Sequence, residues 1–159
     1  MQSSIARVVA QFKPSVVMTS PLERATHVAR AIGDKTGAPV VVRQDLLPPD
    51  FGNLTGRETT EGEPKIAAAF RNRPDAPMGV HGDAPAQWLA RAAAGTQAGV
   101  AASQQTQGPV VQVTHSRNLR ELPHFLSGAP VADPTEGGPK PGQYQILRRD
   151  GKLSAPQGR

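Results

Sequence analysis

The chain reads as an α/β domain in which parallel strands alternate with helices. Three observations predict this. The run Val16-Val17-Met18-Thr19 passes into a helix-forming stretch at Ser20-Pro21-Leu22-Glu23-Arg24-Ala25, and Val110-Val111-Gln112-Val113-Thr114 does the same at His115-Ser116-Arg117-Asn118, the alternation from which parallel sheets are built. The second run is near-continuous in apolar residues, as a strand covered on both faces would be. The 159 residues suffice for one core, burying roughly two thirds of the unfolded surface.

Taken in order, Ser3 or Ser4 is placed to cap a helix reaching Phe12, with Ile5, Val8, Val9 and Phe12 on one face, and Lys13-Pro14 ends it. Residues 16–19 form a buried strand. Ser20-Pro21-Leu22-Glu23 is a capping box with Pro at the first helical position, opening a helix to about Lys35 that stops at Gly37. Residues 38–43 are a second β run. The stretch 46–60 is a long loop, functional or an ordinary surface excursion. Residues 64–71 form a short helix and 72–82 a turn-rich crossing. Asp83 caps a long Ala-rich helix over 84–105 with Trp88, Leu89 and Ala92 inward, and Gln107-Gly108 breaks it. Residues 109–114 are the third strand; 116–127 are helical, kinked or split by Pro123.

Residues 1–159 are thus read as a single domain, with 128–142 an irregular Pro- and Gly-rich segment and 143–155 a C-terminal hairpin around Asp150-Gly151. The last few residues are expected to fray.

Composition narrows the chemistry. Aromatics make up only 4% of the chain, so the core must come from Val, Leu, Ile and Ala. The absence of cysteine excludes a disulfide framework, a thiolate metal site and a Cys nucleophile, and fits a reducing compartment. No apolar run is long enough to span a bilayer and no signal-peptide layout opens the chain; the expected location is cytoplasmic, without a membrane partner. The net charge is +5, yet only Arg148 and Arg149 are adjacent basic residues. Without interleaved aromatics this disfavours nucleic acid and suits small anions.

In this layout ligands gather beyond the carboxyl ends of the parallel strands, where helix N-termini present N–H groups to an anion. Both strand-to-helix junctions end there. Arg24, one turn into its helix, can reach back with a planar fork suited to phosphate oxygens. His115, at its strand's end, is poised to donate a hydrogen bond or to exchange a proton near neutral pH. Singly, an Arg in a first helical turn reads as a solvated residue and a His at a strand end as structural; the pair is what points to a phosphate pocket.

Three segments in order and approximate spacing carry a resemblance: Ser20-Pro21-Leu22-Glu23-Arg24-Ala25, Asp50-Phe51-Gly52-Asn53-Leu54-Thr55-Gly56, and Val113-Thr114-His115-Ser116-Arg117-Asn118. Together they make the chain, from about residue 5 to 150, similar to the histidine phosphatase (phosphoglycerate mutase-like) superfamily, in the flavour of its small bacterial and phage-type members. The resemblance implies a three-layer sandwich with a mixed, mostly parallel sheet flanked by helices, and hydrolysis of a phosphomonoester through a phosphohistidine, without metal or cofactor. It implies that Arg24 clamps the phosphoryl oxygens, that His115 stabilises the transferring charge, and that Ser20 and Ser116 at the two junctions and His81 at the mouth meet the substrate, which is a small phosphorylated molecule or phosphate. A carboxylic acid would protonate the leaving oxygen. Where many members place that Glu, this chain has Pro48, so Asp50 is the candidate donor, with a turn-capping role the equal alternative. Asp83 is read as a helix cap, and His27 and His124 as structural or solvated.

The larger departure is that no Arg-His-Gly stands anywhere in the sequence. In the family that motif ends the first strand and carries the nucleophile. The expectation is a chain truncated relative to the family, its first strand missing, with little or no phosphatase activity by itself and open sheet edges that leave a homo-oligomer in play. The alternative is a non-catalytic phosphate-binding or scaffold protein; a nucleic-acid accessory role, suggested only by charge, is the weakest option.

Overall fold

A computed structural model describes residues 2–52, 63–79, 81–106, 108–131 and 139–158. Its elements are α1 (Gln2–Ala10), β1 (Val16–Thr19), α2 (Glu23–Thr36), β2 (Val40–Val42), a 3-10 turn (Gln44–Leu46), α3 (Glu63–Asn72), α4 (Pro85–Gln105), β3 (Val110–Val113), α5 (Ser116–Arg120), α6 (Leu122–Ser127), β4 (Gln143–Tyr144) and β5 (Gln157–Gly158). The order β2-β1-β3 is parallel throughout, with Val17 opposite Val40 on one side and Val111 on the other, and Thr19 opposite Val42 and Val113. This is the α/β architecture the strand-to-helix alternation predicts.

β1 is the centre of the sheet, and its pleat explains the layers. Val17 faces a cluster built from Ala6 and Val9 of α1 and Ala29 and Ile32 of α2. Met18 points the other way, where the Gln112 amide lies 3.6 Å from its sulfur and donates to the Gly95 carbonyl of α4 at 2.8 Å. Polar Gln112 thus sits within an apolar strand because it satisfies a helix backbone acceptor. α4 approaches closely through small residues: a β-carbon at Gly99 would lie 2.5 Å from the Gln112 amide, and one at Gly95 2.7 Å from the Asp45 carbonyl. On α2, Ala25, Ala29 and Ile32 recur at helical spacing and are buried. Gly37 ends that helix at φ 76° and returns its N–H to Gly33 O at 2.8 Å, a left-handed cap.

Several local expectations are corrected. α1 begins at Gln2, so Ser3 and Ser4 lie inside the helix instead of capping it, and its last residues pass into a tight turn with Lys13 at φ 54°. α2 begins at Glu23 with Leu22 as its N-cap, because the Ser20 hydroxyl is engaged at the sheet rim. α4 is capped at Ala84 without a side-chain bond, because the Asp83 carboxylate is drawn to Arg91 at 3.0 Å. β3 is half-buried along its whole length instead of covered on both faces, since among the described residues it pairs only with β1. Trp88 and Ala92 are buried as expected.

The 116–127 helix is split: Glu121 at φ −91°, ψ 5° separates α5 from α6, and Pro123 lies in the first turn of α6. At the C-terminus Leu147 bridges Leu153, and β4 pairs antiparallel with β5, so residues expected to fray are tied into a ladder. Tyr144 packs edge-on against Phe12 at 6.0 Å and joins the α1/α2 cluster. The expected loop over 46–60 lies partly outside the described residues, as do Asn53-Leu54-Thr55-Gly56 of the second motif and part of the 128–142 segment. Among the described residues no helix is long and apolar enough to cross a membrane.

Candidate functional site

The parallel register makes β1 and β3 end side by side, and the residues that follow are brought together. Ser20 N–H donates to Val113 O at 3.0 Å, which ties the two junctions at the backbone. Beyond that bond, His115 Nε2 lies 2.8 Å from Ser20 Oγ. Ser20 is fully buried and His115 is 8% exposed. The Ser20 hydroxyl also accepts the Leu22 N–H at 3.2 Å, so it serves the turn into α2 instead of the helix terminus predicted for it. Arg24, one residue into α2, is exposed, and its charge reaches His115.

Burial, and then the neighbouring Arg24 charge, push His115 from the usual 6.5 down to about 4. The ring is therefore neutral at physiological pH, not exchanging protons near neutrality as the sequence suggested. The sign of the linkage follows. The unfolded state binds more protons than the folded one between about pH 6.5 and 4, so this group stabilises the fold above that window and the contribution is lost as pH falls through it. Urea unfolding at pH 7 and pH 4.5 should show a His115→Gln variant losing less stability on acidification than the wild type; equal losses would contradict the assignment.

A second assembly holds Asp50 and His81. The Asp50 carboxylate accepts the Gly52 N–H at 2.8 Å, closing a turn on itself. Its backbone N–H donates to the Asp83 carboxylate at 2.9 Å, and Asp83 N–H returns a bond to Asp50 O at 2.7 Å. A β-carbon at Gly82 would lie 1.9 Å from Met78 O and 2.8 Å from Asp50 O, so only glycine lets the two turns cross. His81, just before it, is exposed and held at φ 64°, a conformation non-glycine residues seldom adopt.

The two assemblies are joined by a strap. Leu46 O accepts the Thr114 hydroxyl at 2.8 Å; Leu47 O accepts the Asn118 amide at 3.1 Å and the Trp88 indole N–H at 3.2 Å; Pro48 O accepts Arg91 at 3.3 Å. Consecutive carbonyls are thereby fixed against the β3–α5 junction and α4. The strap delivers the buried Phe51 ring beneath the Arg117 guanidinium, 5.0 Å from its centroid. Arg117 is two residues from His115, so Asp50 is carried toward the same end of the sheet.

His115 and Ser20 are thus brought into contact with the Arg24 charge acting on the ring, and Asp50 and His81 lie in a separate pair of turns stapled through Asp83. The Ser116 hydroxyl donates to Pro139 O. His124 bonds Ala129 O at 2.7 Å, and His27 is exposed on α2. Sequence reasoning missed Thr114, Asn118 and the Arg117–Phe51 stack, although all four stood inside the motifs quoted; the signal was the crowding of donors around His115. Among the described residues no cluster of three or more His, Asp or Glu side chains could hold a metal.

The profile of the histidine phosphatase superfamily (branch 1) matches residues 2–155. No curated protein matches the chain. Among solved structures, a mycobacterial glucosyl-3-phosphoglycerate phosphatase in complex with inorganic phosphate superposes with a TM-score of 0.70 at 23% identity, over 97% of this chain and 82% of that one. The same enzyme with VO3 matches at 0.70 and 22%, over 97% and 81%. The alpha-ribazole phosphatase from Shigella flexneri matches at 0.66 and 21%, over 90% and 73%. At these identities the structural likeness speaks for the fold, and the family assignment rests on the profile covering nearly the whole sequence: the chain belongs to the histidine phosphatase superfamily, branch 1.

Proposed function

We propose that Arg24 and His115, the ring held from behind by Ser20, bind the phosphoryl group of a phosphomonoester, and that the domain is of the small bacterial or phage-type histidine phosphatases, with no Arg-His-Gly nucleophile in its sequence. What supports the reading is a nearly buried imidazole at the end of β3, held against Ser20 at the end of the adjacent parallel β1, with the exposed Arg24 of α2 close enough for its charge to act on the ring. Among the described residues no carboxylate pairs with Arg24, so the cation is ready for an anion. That relatives bind phosphate and vanadate supports the same reading.

In the family's scheme an imidazole nitrogen attacks phosphorus, the P–O ester bond breaks, and an acid protonates the departing oxygen. Water then cleaves the P–N bond and releases phosphate. Here Arg24 would hold the equatorial oxygens throughout, and His115 would donate a hydrogen bond to the charge building on them. Asp50 remains the carboxyl placed closest in sequence for the acid role, with its carboxylate also closing the turn to Gly52. The attacking group is the gap. The histidines other than His115 lie on α2, at the stapled turns, or bonded to Ala129. The half-buried outer edge of β3, unpaired among the described residues, offers a place for a further strand.

Fusing a strand that ends in Arg-His-Gly ahead of α1 should therefore confer hydrolysis of p-nitrophenyl phosphate, and His115→Ala in that fusion should abolish it. Equal rates with and without His115 would remove the catalytic reading. A fused protein that binds phosphate yet releases no p-nitrophenol would mark the rim as a non-catalytic anion site, the second reading.

A further inference from the structure

The bond between Ser20 and His115 determines more than position. Ser20 has one hydroxyl hydrogen and lies fully buried, out of reach of solvent. Its oxygen has two partners: the Leu22 N–H at 3.2 Å, which can only donate, and His115 Nε2 at 2.8 Å. The Leu22 bond uses a lone pair, so the hydroxyl hydrogen has one acceptor within reach, the Nε2 lone pair. The neighbouring Thr19 hydroxyl donates elsewhere, to Ser20 O at 2.9 Å, and does not compete for it. The ring's other nitrogen, Nδ1, makes no hydrogen bond to another of the described residues.

We infer that Ser20 is a positioning residue that fixes His115 in the Nδ1–H tautomer, so that the ring presents its one proton from Nδ1. The alternatives are costly. A proton on Nε2 would point at Ser20 Oγ and leave the serine hydrogen buried without an acceptor, a loss on the scale of an unsatisfied hydrogen bond. Protonating both nitrogens meets the same obstacle, which adds a geometric reason to the burial that keeps this ring neutral. In an unconstrained neutral histidine the proton favours Nε2, so the inference predicts a departure from the default, set by the bond the other nitrogen makes. Its consequence for phosphate rests on the reading above: the proton offered to a bound phosphoryl oxygen would come from Nδ1, and Arg24 would supply the positive charge.

The test is the pattern of two-bond proton–nitrogen correlations in uniformly nitrogen-15-labelled protein at pH 7 without ligand, the His115 signals being those that vanish in His115→Gln. The expected wild-type spectrum has a protonated Nδ1 and an unprotonated Nε2. Ser20→Ala should convert the dominant signals to the Nε2–H form, and Ser20→Thr, which keeps the hydroxyl, should restore the wild-type pattern. A wild-type ring protonated at Nε2 overturns the inference, and because that reading needs no variant it stands even if Ser20→Ala folds poorly. Adding inorganic phosphate separates the two claims. An Nδ1–H ring whose signals ignore phosphate leaves the role of Ser20 intact and overturns the phosphate site.

Discussion

Arg24→Ala is expected to weaken binding of inorganic phosphate by roughly 10- to 100-fold, the loss of a charge-assisted hydrogen bond worth about 1.5–3 kcal/mol. Arg24 is exposed and has no carboxylate partner among the described residues, so folding stability should change by less than about 0.5 kcal/mol. That combination separates a binding residue from a solvated one. Calorimetric titration at low ionic strength reads the affinity before salt screens it, and chemical denaturation reads the stability. Unchanged phosphate affinity would return Arg24 to the ordinary reading of an arginine in a first helical turn.

Trp88→Ala should be the most damaging single change to the fold, costing about 3–5 kcal/mol. The indole is fully buried, meets Phe70 edge-on at 6.0 Å, and donates its N–H to Leu47 O at 3.2 Å. Its loss removes a large apolar volume and weakens the strap that carries Phe51 toward Arg117. For a chain of this length the melting temperature should fall by roughly 6–20 °C. Trp88→Phe keeps most of the volume and loses the hydrogen bond, and should cost only about 1–2 kcal/mol. Scanning calorimetry on the two variants tests the account; a drop below about 1 kcal/mol for Trp88→Ala would mean that Trp88 does not hold the strap.

How much of this was legible in the sequence depends on the range over which each feature is determined. α2, α4 and the split between α5 and α6 follow from near neighbours: a left-handed glycine at Gly37, Pro85 at the start of α4, Pro123 just after the break. Local rules read such features well. The same rules misplaced Ser20 and Asp83. Both have the right chemistry for an N-cap, but each is claimed elsewhere, Ser20 by the distant His115, and Asp83 by the distant Asp50 backbone and by Arg91 two turns along α4. Tertiary bonds override capping propensity when they satisfy a buried group.

The site divides along the same line. The meeting of the two strand-to-helix junctions was visible because strand ends in a parallel sheet converge whatever the loops do. The strap was not. Nothing in Leu46-Leu47-Pro48 announces that its carbonyls will be taken by Thr114, Asn118, Trp88 and Arg91, since backbone acceptors carry no sequence signature. The neutral state of His115 was also beyond the sequence, because it follows from burial and from a guanidinium that only the fold brings near.

The central claim is that one guanidinium and one imidazole grip a single dianion at the rim shared by β1 and β3. Phosphate titration of Arg24→Ala, His115→Gln and the double variant, analysed as a cycle, tests it most directly. Joint contact with one ligand predicts a coupling of at least about 1 kcal/mol, with the second substitution costing much less once the first is made; losses that add to within about 0.3–0.5 kcal/mol, or wild-type protein that binds no phosphate, would contradict it.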